Sequence, residues 1–80
     1  MIFLIQYDRP KGAIVTLTAF APEAREEAAN ERLVLEVDLN RQGITEHEVI
    51  LLEAESEAAL RLTHRRYFEN ARQIMTSSSS

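Results

Sequence analysis

The first seven residues, Met1-Ile2-Phe3-Leu4-Ile5-Gln6-Tyr7, are apolar on both alternating sets of positions until Gln6 interrupts them. A strand of that pattern needs cover on both faces, which places it at the centre of a small sheet. Every later element is then judged by how it covers that strand. In a chain of 80 residues the cover is thin, because a domain of this size buries only about 60% of the surface its unfolded chain exposes.

Arg9-Pro10-Lys11-Gly12 follows, with proline at the second turn position, where its fixed φ suits a type I turn, and glycine at the fourth, where φ can turn positive. This predicts a hairpin with a G1 bulge at the turn. Tyr7 then faces Val15, Ile5 faces Leu17 and Phe3 faces Ala19. One sheet face is almost wholly apolar. The other gathers Ile2, Leu4, Gln6, Ile14, Thr16, Thr18 and Phe20, a set too apolar for plain solvent and too polar for a dry core.

Pro22 suits the first position of a helix, and Glu23, Glu26 and Glu27 stand near its positive dipole end. Leu33-Val34-Leu35-Glu36-Val37-Asp38-Leu39 partly alternates like a strand, which leaves a ββαββα arrangement as the alternative. One long helix is preferred because of how it would end. Gly43 at C′, Ile44 at C″ and Leu39 at C3 form the pattern of a Schellman cap, with Arg41 in the negative last turn. On that helix Ala24, Ala28, Leu35 and Leu39 share one face, while Leu33, Val34 and Val37 fall elsewhere and require a second contact.

His47 to Glu53 reads as a third strand. A right-handed crossover through the long helix sets it parallel to the second strand, on the free edge of the first, giving the order 2-1-3. Ser56 caps a second helix, along which Leu60, His64, Tyr67, Phe68, Ala71, Ile74 and Met75 form one stripe packed on the sheet. The expected fold is α+β, a single ββαβα domain over residues 1–75, with both helices on one sheet face and a disordered serine-rich tail at 76–80.

The Tyr7-Asp8-Arg9 hairpin, the Glu48-to-Ala54 strand and the Thr63-His64-Arg65-Arg66-Tyr67-Phe68 segment resemble those of some short bacterial proteins. The resemblance spans most of the chain. It implies a stand-alone bacterial domain and no particular reaction.

Cysteine is absent, which removes disulfides, thiolate chemistry and Cys-ligated zinc, and suits a reducing cytosol. The N-terminal apolar run lacks a basic flank and is too short for a signal segment or a membrane span, so the chain reads as soluble and cytoplasmic. Net charge is −4, with acids concentrated in residues 43–57 and Arg61, Arg65, Arg66 and Arg72 in the last segment. Lying near each other in the fold, the two regions would offset one another.

His64 beside Tyr67 could serve as an acid, a base or an anion ligand, but its place between Leu60 and Phe68 fits a partly buried packing role. His47 lies between Glu46 and Glu48, yet neighbours on a strand point to opposite faces, so a metal site there is disfavoured. Arg61, Arg65 and Arg72 form a basic flank that would meet phosphates if carboxylates did not claim it. Glycine-rich phosphate loops and a Gly-x-Ser-x-Gly elbow are missing. The expectation is a protein-interaction module, not an enzyme and without cofactor or metal, acting as a homodimer or as an accessory subunit of a larger protein. Its interface candidates are Ile2, Leu4, Ile14, Thr16, Phe20, Leu33, Val34 and Val37. The alternative is a nucleic-acid-associated or toxin–antitoxin-type regulator using Arg61, Arg65 and Arg72.

Overall fold

The central strand β1, Ile2–Asp8, is flanked by β2, Ala13–Phe20, on one side and by β3, His47–Glu53, on the other, both antiparallel to it. These come from a computed structural model, which describes residues 1–68. Ile2, Phe3, Leu4 and Ile5 are each 5% exposed or less, so the strand is sealed on both faces as its doubly apolar pattern requires. The order is 2-1-3 and the fold is α+β.

The hairpin departs from expectation in one residue. Asp8 pairs with Ala13, so the loop holds four residues; the Lys11 N–H donates to Asp8 Oδ1 at 3.1 Å and Gly12 takes φ 62°. Farther along, Phe3 pairs with Ala19 and Ile5 with Leu17, as expected. Those two registers differ by one residue, and the difference is absorbed between Gln6 and Tyr7, where Tyr7 pairs with Ile14 instead of Val15. The bulge therefore lies inside β2 and not at the turn. A single extra residue inverts which side chains face which layer. Ile14 joins Leu17 against the Phe3–Ile5 core, and Val15 is left 49% exposed.

After a 3-10 turn at Pro22–Ala24, α1 runs Arg25–Arg41 as one helix through residues 33–39. Its end is the expected Schellman cap: Gly43 has φ 72°, its N–H donates to the Asn40 carbonyl at 3.1 Å, and the Ile44 N–H donates to the Leu39 carbonyl at 2.9 Å. The ββαββα alternative is excluded. α1 lies over β1 and β3 on the side of Ile2 and Leu4, with Ala28 and Leu39 buried.

The second helix, α2, spans only Glu57–Thr63, where a stripe reaching Met75 was expected. Ser56 caps it through a bond from the Ala59 N–H at 3.1 Å. Thr63 Oγ1 donates back to the Ala59 carbonyl at 3.0 Å, a local bond that competes with helix continuation, and His64 leaves helical geometry at φ −122°, ψ 53°. A 3-10 turn, Arg65–Tyr67, follows. In a continuous helix Tyr67 would lie above Leu60 while Phe68 pointed about 100° away. The break turns both aromatic rings onto Phe3 and Ile5, in one cluster with Leu60. Ala71, Arg72, Ile74, Met75 and the serine tail lie outside the described residues.

The helices thus cover opposite sheet faces, not the same one. α2 and its turn seal the Phe3–Ile5 face, and α1 seals part of the Ile2–Leu4 face.

Candidate interaction surface

Because α1 is displaced toward β3, the β2 half of its face stays open. Between helix and strand runs a groove of about 570 Å³, with Leu4, Gln6, Thr16 and Thr18 on its floor and Val34 and Arg41 on the helical wall. Above the groove the helix turns a second apolar side outward, where Leu33 is 61% exposed, Val34 64% and Val37 48%. A helix buries one stripe when it has one neighbour. α1 carries two stripes and, among the described residues, has a neighbour for only the first.

Five of the eight interface candidates from the sequence sit on this surface: Leu4, Thr16, Leu33, Val34 and Val37. Ile2 is 3% exposed and is closed off by its own chain; Leu4, 5% exposed, contributes only to the groove floor. Phe20 is partly buried at the end of β2, paired with Ile2. Ile14 is on the opposite face altogether, moved there by the bulge.

The polar candidates are engaged elsewhere. His47 Nδ1 accepts from the Gln6 side-chain amide at 2.8 Å, which leaves the ring proton on Nε2, directed at Asp8 Oδ2 3.4 Å away. Both ring nitrogens are thereby occupied, and Gln6, 8% exposed, has its partner. Glu48, next in sequence, points to the other face. There its carboxylate accepts from Tyr67 Oη at 2.8 Å and pairs with Arg66 at 3.3 Å. No group of three or more potential metal ligands forms among the described residues.

Tyr67 also stacks edge-on against Tyr7, ring centroids 5.0 Å apart, and its hydroxyl accepts from Arg66 Nη2 at 2.8 Å. The group is a clip that holds the final turn to β3. Burial, and then the bond to Glu48, raise the Tyr67 phenol above its ordinary value near 10. The folded state therefore prefers the protonated phenol, and that stabilisation is complete below about pH 10 and declines as pH rises through the raised folded value. Tyr67→Phe is expected to lower stability at neutral pH by about 1.5 kcal/mol, the scale of a hydrogen bond to a charged group. It should also flatten the loss of stability above pH 10. Urea unfolding as a function of pH checks both, and equal slopes for the two proteins would remove Tyr67 from the account.

His64 shapes the turn after α2, its N–H on the Leu60 carbonyl and its own carbonyl accepting from the Tyr67 N–H. The end of α2 at Thr63 puts Arg61 on the helix and Arg65 on the 3-10 turn that follows. Arg61 pairs with Glu57 at 3.0 Å and lies over the Phe68 ring at 4.6 Å. Glu53, at the end of β3, pairs with Arg25 of α1. Comparison with known protein families, with curated proteins and with solved structures gives no match. Among the described residues, no helix is long and apolar enough to cross a membrane.

Neither the groove nor the bulge is visible in residue spacing. The bulge had one available signal, the mismatch between a four-residue loop and the apolar register of the strands. The Tyr67–Glu48 clip had none, since its partners come from segments joined only by the fold.

Proposed function

We propose that the protein is a protein-interaction module that docks a partner on the outer side of α1 and the groove beside β2. The observation that carries this reading is the second apolar stripe, Leu33, Val34 and Val37, continuous with a groove floored by Leu4 and two threonines. Contiguous exposed apolar surface of that kind on a small chain marks an association site. The arginines of the last segment suit the nucleic-acid alternative less well, because Arg61 and Arg66 already have carboxylate partners.

A photoreactive side chain placed at Val37 in cells should give covalent protein adducts. The same group at Leu62, 69% exposed on α2, should give none. Equal yields at the two positions, or none at either, would count against a dedicated surface on α1.

A further inference from the structure

We propose that the partner on this surface is a second copy of the chain, joined by a two-fold axis that crosses α1 near Glu36 with the two helices antiparallel. This rests on the interaction-module reading and names its occupant. A two-fold interface uses the same patch on both subunits, so the patch must complement itself when reversed. The outer and groove-facing positions of α1 do so.

Reading along the helix, the groove side carries Glu31, then Val34 and Val37, then Arg41. Glu31 and Arg41 stand at equal separations on either side of Glu36. With a rise of about 1.5 Å per residue, each lies some 7.5 Å from the axis. Reversing one helix against the other sets Glu31 level with Arg41 of the second copy at both ends, and brings the two valine patches together at the centre. Both charged residues line the groove and face the incoming helix.

Neither is committed to an ion pair among the described residues. The ion pairs among the described residues take Arg25, Arg32, Arg61, Arg66 and His47, and leave Glu31 and Arg41 out. Asp38, the remaining acid on that wall, is already engaged by the Gln42 side-chain amide at 3.0 Å.

The same packing resolves the doubled apolar character of α1. Each helix would lie between two sheets, with Ala28, Leu35 and Leu39 on its own sheet and Leu33 and Val37 above the open β2 half of the other. The threonine-lined floor over Thr16 and Thr18, which the described residues of one copy leave open, would then be covered. Burial of the valines and Leu33 supplies the affinity. Exposed charge pairs contribute little of it and mainly select the antiparallel register.

Sedimentation of the purified full chain at micromolar concentration tests this. The expected result is a dimer, with Val37→Glu monomeric while its circular dichroism is unchanged. Glu31→Arg and Arg41→Glu, each of which sets like charges opposite one another at both ends, should weaken dimerisation about tenfold, and the double swap should restore it. Rescue is the deciding readout, because a purely local effect of either charge would not be repaired by the other.

A wild-type chain that stays monomeric, or single swaps that the double swap does not rescue, would overturn the proposal. If the chain is monomeric and the Val37 photoadduct has a mass other than twice its own, the second copy is wrong while the interaction module stands. No adduct at all removes both.

Discussion

Leu60→Ala is expected to destabilise the protein by about 3 kcal/mol, within the range seen for removing a buried leucine side chain. Leu60 is fully buried and is the one buried residue of α2. At seven residues the helix cannot persist without its contact to the sheet. Losing that contact also loosens Tyr67 and Phe68, which reach Phe3 and Ile5 only because α2 positions the turn that follows. Against a total stability of about 5 kcal/mol, usual at the low end for small domains, this leaves about 2 kcal/mol and raises the unfolded fraction to a few per cent. Leu62→Ala on the same helix is 69% exposed and should change stability by less than about 0.5 kcal/mol. Urea midpoints for the two variants measure the contrast. A Leu60→Ala cost close to that of Leu62→Ala would mean that α2 does not seal the Phe3–Ile5 face.

The parts of the fold legible in the sequence are those set by one residue type with one conformational role. β1 announces its central place because its apolar residues occupy both parities. The end of α1 is legible because Gly43 takes the positive φ that a Schellman cap requires and Leu39 and Ile44 close it. That cap decides between helix and strand for residues 33–39, where alternation alone pointed both ways. Sidedness is another matter. Apolar periodicity says that a helix has a buried stripe and not which sheet face it meets, so nothing local assigns α1 and α2 to opposite faces. The extent of α2 is hidden for a related reason: Leu60, His64 and Tyr67 fit helical spacing, and only the core contacts of Phe68 show that the chain must leave the helix to bury both aromatics.

The candidate surface follows the same division. Leu33, Val34 and Val37 were legible as surplus apolar positions, since the wheel places them away from Ala28 and Leu39 whatever the helix packs on. Ile2 and Leu4 were read as an open face because α1 was expected on the other side. Once α1 covers them, the apolar surface left over lies on the helix and in the groove beside β2. The pressure toward association therefore moves from the sheet to α1, and a charge placed on Val37 is the substitution that addresses it.

Ile14→Glu is expected to cost about 2 kcal/mol, because it brings a carboxylate against the Phe3, Ile5 and Tyr7 side of the sheet, where no cation of β1 or β2 offsets it. Val15→Glu should stay within about 0.5 kcal/mol, since Val15 is the bulged residue and half exposed. Without the bulge the ranking reverses: Val15 would oppose Tyr7 in the core, and Ile14 would join Thr16 and Thr18 on the α1 side. The pair of substitutions therefore reads the register directly, with urea unfolding as the measurement and a larger cost at Val15 as the result that rules the bulge out. It also separates folding from association. On the α2 side of the sheet, Ile14→Glu lowers the stability of each subunit and leaves α1 untouched, so at concentrations where the variant is folded it should sediment like the wild type.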